Sequence, residues 1–136
     1  MDIEEMTKEE LDELIENSSE VMYGLPVIEI DDAEYAIALD ENDADSACED
    51  YIEGSVWAFN PWFLEQMTDV PVEIFKASEY KCESLNDAIL ILIRRTCGWE
   101  NFVNQAIAED GRGHFLSCYD DKEIELECGY YAYRVN

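Results

Sequence analysis

The chain holds one histidine, His114, inside DGRGHFLSCYD (residues 110–120), the stretch whose residue types come nearest to chemistry. An imidazole beside a carboxylate can move a proton, so His114 with Asp110 or Asp120 is a candidate acid–base pair. Read as a strand, His114–Tyr119 puts Cys118 on the same face as His114, which hints at a thiol–imidazole pair. A structural turn accounts for the same residues more simply. Gly111 can close the preceding helix in the left-handed region, and Gly113 permits a sharp bend into the strand. With one histidine and no evident oxyanion site, no catalytic residue is assigned and no enzyme is expected.

A second acidic motif, DENDAD (residues 40–45), suggests calcium. An EF-hand needs oxygen ligands at loop positions 1, 3 and 5, glycine at 6 and glutamate at 12. Counted from Glu41, Asp43 and Asp45 fit, but Ser46 and Ile52 do not. Five cysteines (Cys48, Cys82, Cys97, Cys118, Cys128) fall at irregular spacings without a CxxC, so zinc is unsupported and reduced, mostly buried thiols are expected. No metal or cofactor is expected.

The strongest signal is charge. There are 34 acidic and 8 basic residues, a formal net charge of −26. Residues 1–55 carry 20 acids and one base, Lys8, for −19; residues 56–136 carry 14 acids and seven bases, for −7. That balance opposes direct binding to nucleic acid, which needs cations against phosphate. It steers the protein toward a basic partner instead. Duplex DNA carries a charge per about 1.7 Å of axis. Carboxylates on adjacent helix turns lie about 5–6 Å apart, near the phosphate spacing along one strand. A ridge of acids on two helices would therefore imitate a duplex. The candidate contacts are Glu9, Glu10, Asp12, Glu13, Glu16, Asp40, Glu41, Asp43, Asp45, Glu49, Asp50 and Glu53. The longest apolar run, Ala88–Ile93, has six residues, so no membrane span is expected. No secretory signal opens the chain, and a cytoplasmic location in a host cell is expected.

These acids must be positioned by a fold. Thr7-Lys8-Glu9-Glu10 is a capping box, and Leu11, Leu14 and Ile15 follow at helical spacing, giving a helix to about Asn17. Val27–Ile30 and Glu34–Leu39 flank Asp31-Asp32 and read as a β-hairpin, or Ala33–Leu39 as a short helix. A helix from about Asp43 to Glu53 puts Ala44, Ala47, Cys48 and Tyr51 inward. Asn60-Pro61 begins another, to about Thr68. Asp69 with Pro71 repeats the signal, for a helix to about Glu83. Ser84–Cys97 has an N-cap serine, Arg94 and Arg95 in its last turn, and Gly98 beyond it; its apolar run leaves no polar face, so it reads as a buried central helix. Trp99–Ala108 follows, with Phe102, Val103, Ala106 and Ile107 on one face. His114–Tyr119, Lys122–Glu127 and Tyr130–Val135 read as three short strands. The expected fold is α+β in a single domain over 1–136: a helical body around the helix at about 84–97, with a small C-terminal antiparallel sheet. Arg94, Arg95 and Arg112 read as neutralising nearby carboxylates.

The segments VWAFNPWFLEQMT (56–68), CESLNDAILILIRRTCG (82–98) and DGRGHFLSCYD, with the ending YYAYRVN (130–136), resemble a family of small proteins carried by phages and mobile elements. The resemblance covers about residues 55–136 and leaves out the most acidic part. No activity comes with that family, so it implies no functional residue. It implies a phage context, in which small, strongly acidic proteins resemble DNA-mimic inhibitors of host defence or transcription, a likeness of composition. The leading expectation is an inhibitor that occupies a basic nucleic-acid-binding groove of a host protein: a restriction enzyme, a CRISPR effector or a transcription factor. The alternative is a small phage accessory protein acting through its C-terminal half, where the tyrosines of GYYAYR could form an interface, including that of a homodimer. A third is an enzyme using His114.

Overall fold

A computed structural model describes residues 2–77 and 82–136. The chain forms two compact units, one made of the residues up to Tyr51 with Asp110–Asn136, the other of Ile52–Glu109.

The first unit is a sheet with helices on both faces. Helix α1 (Lys8–Glu16) opens on the expected capping box, with Thr7 accepting from the Glu10 amide and Glu10 accepting from the Thr7 amide. Strands β1 (Glu20–Met22), β2 (Leu25–Ile30) and β3 (Ala33–Ala38) form two consecutive hairpins. With β4 (Ile124–Glu125) and β5 (Tyr131–Arg134) they make a five-stranded antiparallel sheet in the order β1-β2-β3-β5-β4. The fold is α+β as expected, but the sheet is not confined to the C-terminus: residues 20–38 supply three of its five strands. The reason lies in β3. Tyr35–Ala38 is buried at every position, and a strand covered on both faces shows no alternation to read. Around Asp31-Asp32 the hairpin reading holds, and both aspartates have positive φ.

One face of the sheet presents Ile28, Ile30, Ala33, Tyr35, Ile37 and Ala132, which close a core with Ile3 and Leu11 of the α1 region. The register fits: Ile28 faces Tyr35, Ile30 faces Ala33, and Ile37 faces Ala132. The other face presents Ala36, Ala38 and Tyr133, all fully buried. It is covered by α7 (Arg112–Leu116), which packs on β5, and by α2 (Glu41–Glu53), whose Cys48 thiol approaches the Arg112 carbonyl at 4.0 Å. Ala44, Ala47 and Cys48 point inward as expected.

Two C-terminal expectations are corrected. His114–Tyr119 is not a strand: α7 occupies its start, and the turn that follows joins Ser117 to Asp121. Lys122–Glu127 shrinks to the two residues of β4. Gly113 explains both. A Cβ there would meet the Asp121 carbonyl oxygen at 2.5 Å and the Lys122 carbonyl carbon at 2.7 Å. The backbone of 121–123 lies flat against this glycine, so the segment leaves the sheet instead of extending it.

The second unit is helical among its described residues. A 3-10 turn (Val56–Ala58) leads to α3 (Pro61–Thr68), α4 (Val72–Ala77), a 3-10 turn (Glu83–Leu85), α5 (Asn86–Arg95) and α6 (Trp99–Asp110). Asn60 caps α3 through the Trp62 amide at 2.9 Å, with Pro61 at the first position, as expected. Asp69 does not start a helix. It closes α3 at φ 58, and the Glu65 carboxylate takes the Val72 amide at the start of α4. The expected continuation to Glu83 lies in part outside the described residues. Phe59, Phe63 and Phe102 meet with ring centroids 5.3–5.8 Å apart.

Helix α5 corrects the central-helix expectation. It starts at Asn86, with no side-chain cap from Ser84. Leu90 and Ile93 are buried, Ile89 and Leu92 half-buried, and Ile91 is 52% exposed. An unbroken apolar run on a helix points every way round, and only the stripe at 90 and 93 finds full cover. The Asn86 side chain serves elsewhere: it donates to the Glu53 carbonyl at 2.7 Å and accepts from the Trp57 amide at 3.2 Å.

Candidate acidic interaction surface

Charge and fold divide together. The first unit carries 25 acids and four bases, a net −21; the second carries nine and four, a net −5. Eleven of the twelve candidate residues are exposed, Asp12 being the half-buried one. They do not form a single ridge over two helices. Helix α1 covers the sheet face of Ile28 and Ile37, whereas α2 lies with Tyr133 and α7 on the other.

On α1, Glu9, Glu13 and Glu16 fall at i, i+4 and i+7, a single stripe opposite Leu11. Glu10 is occupied by the capping box. Asp12 is structural: it accepts from Lys8 at 2.7 Å and from the Tyr130 hydroxyl at 2.5 Å. The hydrogen bonds from Lys8 and then Tyr130 hold its carboxyl below the usual range, and the same contacts raise the Lys8 pKa.

On α2, Asp40 accepts from the Asp43 amide at 2.8 Å and Asp43 from the Leu39 amide at 3.3 Å, so two candidates cap the helix. Two more, Glu41 and Asp45, turn to Arg112 at 3.3 and 3.2 Å. Glu49, Asp50 and Glu53 complete the exposed side.

Arg112 is the hub. Its side chain is 14% exposed and holds Glu123 through two nitrogens, at 2.7 and 3.0 Å, while its guanidinium stacks over Tyr131 at 5.0 Å. The Tyr133 hydroxyl donates to Glu123 at 2.5 Å. Burial alone would raise the Glu123 pKa; the hydrogen bonds from Arg112 and Tyr133 outweigh it and hold the carboxyl below its ordinary 4.5. Burial pushes the Tyr133 hydroxyl up. It also raises the Cys48 thiol, to about 12. The neutralising role expected of Arg112 is thus an internal clasp, joining α7, α2 and the loop before β4.

The register of the first sheet adds acids that the sequence reading missed. Glu29 lies directly opposite Glu34, and Glu20, opposite Val27, is diagonal to Glu29. All three line a shallow hollow of about 420 Å³ with Leu14, Asn17, Ser18 and Ser19, just past the end of α1. The signal that could have found them is the hairpin itself: with Asp31-Asp32 as the turn, counting back from it pairs 29 with 34.

No family model, characterised protein or solved structure matches this chain.

The other chemistry-bearing residues stand apart. The Asp120 carboxylate accepts from the Ser117 hydroxyl at 2.8 Å and the Lys122 amide at 3.1 Å, which hold its pKa low, Ser117 first. His114 stands exposed and edge-on to Phe115 at 5.1 Å. The thiol–imidazole alternation lapses with the strand it required. Of the five free cysteines only Cys48 is buried; Cys82 and Cys118 are exposed, against the expectation of mostly buried thiols. Among the described residues no group of His, Cys, Asp and Glu could hold a metal ion, and no helix is long and apolar enough to cross a membrane.

Proposed function

We propose that the protein is a non-enzymatic acidic inhibitor that presents the carboxylates of its first unit to a basic, nucleic-acid-binding groove of a host protein. The observation that carries this reading is charge kept at a cost to stability. Glu29 and Glu34 face each other across two strands, an arrangement that destabilises a sheet by roughly 0.2–1 kcal/mol. Glu9, Glu13 and Glu16 repeat the same sign along one helix stripe. A solvated face gains nothing from such an arrangement; a surface that replaces phosphates needs it. The phage context of the resemblance agrees with this role. The acids occupy both sides of a sheet, so the groove-filling surface is either the α1 stripe or the α2 side, the face to which Glu20, Glu29 and Glu34 alternate.

The test is capture of host proteins on the immobilised protein at low salt, followed by elution with duplex DNA. Release of the captured protein by DNA, and no capture at high salt, is the expected result. A captured protein that DNA and salt both leave in place overturns the reading. The alternative, an accessory protein acting through its less acidic half, rests on Trp62 and Ile74, which are 58% and 61% exposed in the second unit. It is favoured if capture survives neutralisation of the acids.

A further inference from the structure

The two hairpin turns of the first unit are two-residue loops with positive φ at both central positions, and they carry different residues. In the β2–β3 turn, Asp31 and Asp32 have φ 48 and 70. In the β1–β2 turn, Tyr23 and Gly24 have φ 49 and 82. Two left-handed central residues mark the hairpin turn for which asparagine or aspartate, then glycine, is the default. Aspartate tolerates this region; a bulky tyrosine there is an outlier. Tyr23 is 41% exposed, its ring in part against Tyr51 and in part open to solvent. A strained residue that keeps an open ring face points to use.

Tyr23 heads an aromatic strip. It stands edge-on to Tyr51 at 5.5 Å; Tyr51 lies 5.7 Å from Phe115, and Phe115 lies 5.1 Å from the exposed His114. The same unit stacks arginine on tyrosine twice within itself, Arg112 over Tyr131 at 5.0 Å and Arg134 over Tyr119 at 3.9 Å. Among the described residues no cation lies over Tyr23. Tyr23 belongs to the unit that carries a net −21. We propose that Tyr23 and the strip behind it form the anchor that takes an arginine side chain of the basic partner. This rests on the reading of the first unit as a surface for a basic protein. Long-range attraction brings the partner in, and stacking of a planar guanidinium on Tyr23 distinguishes arginine from lysine.

The test uses nona-arginine and nona-lysine peptides as probes, titrated against the wild type, Tyr23→Asn, Tyr23→Phe and a triple Glu9→Gln, Glu13→Gln, Glu16→Gln variant, with melting temperatures for each. Asparagine suits the left-handed position, so Tyr23→Asn removes the ring without harming the turn. The wild type and Tyr23→Phe are expected to prefer nona-arginine by about two- to fivefold. Tyr23→Asn is expected to bind both peptides alike, with a melting temperature equal to or above that of the wild type. A wild type without preference, a preference that survives in Tyr23→Asn, or a lower melting temperature of that variant overturns the anchor. Binding of both peptides that ignores salt and the triple variant overturns the acidic-surface reading instead.

Discussion

The two units solve the problem of like charge differently. The first holds a net −21 on a sheet whose central positions, Ala36, Ile37, Ala38, Ala132 and Tyr133, are fully buried. The second carries a net −5 on short helices and leaves Trp62, Ile74 and Ile91 largely exposed. Self-repulsion opposes a compact state. It is tolerated where pairing in register and cover on both faces resist it, and where Arg112 neutralises partly buried Glu123 and pairs with the exposed Glu41 and Asp45. Among the acids of the first unit, some hold the fold (Asp12, Asp40, Glu41, Asp43, Asp45, Glu123) and others are displayed on it (Glu9, Glu13, Glu16, Glu29, Glu49 and Asp50 among them).

The contrast breaks first at the cores. Ile37→Ala removes a fully buried side chain from the sheet and should cost about 2–5 kcal/mol, whereas Ile91→Ala on exposed α5 should cost no more than about 0.5 kcal/mol. Urea titration of both variants checks it; equal losses would show that α5 is covered all round. Leu92, half-buried, should fall between them.

Next in size is the clasp. Arg112→Met keeps much of the side chain's packing but leaves Glu41, Asp45 and Glu123 facing one another, and should cost about 1–3 kcal/mol at neutral pH. The sign of its pH dependence follows from Glu123. Its folded pKa is depressed, so its contribution is present above the ordinary 4.5 and is lost as pH falls through the folded value. The stability gap between wild type and Arg112→Met should therefore narrow below about pH 4.5, read by thermal melts across pH 3–7. A constant gap would mean that Arg112 acts by packing alone.

The smallest effect sharpens the distinction between display and support. Glu29→Gln removes a like-charge pair across the hairpin and should stabilise the first unit by roughly 0.2–1 kcal/mol. The gain should shrink at high salt. A loss of stability would place Glu29 among the supporting acids.

What was legible in the sequence was local. The Thr7–Glu10 capping box, the Asn60-Pro61 helix start and the inward Ala44, Ala47 and Cys48 are set by residues within a turn or two of one another. What was not legible was convergence. Arg112 meets Glu41 from 71 positions away and Glu123 from 11, and its neighbours in sequence announce neither. The opposition of Glu29 and Glu34 needs the hairpin settled first. Helix α5 misled for the opposite reason: its apolar run is conspicuous, yet burial depends on what is packed against each side, which a run of similar residues does not encode.

The central claim is that displayed carboxylates, acting together, bring the protein to a basic partner. It is tested most directly by the association rate with the DNA-displaced host protein at low and high salt. Wild type is compared with one variant neutralised at Glu9, Glu13 and Glu16 and another at Glu49, Asp50 and Glu53. The expected result is an on-rate that falls steeply with salt for wild type and is already lowered at low salt by one of the triple substitutions, with the dissociation rate changed less. An on-rate indifferent both to salt and to the two sets of substitutions would contradict the account and move the search to the exposed Trp62 and Ile74 of the second unit.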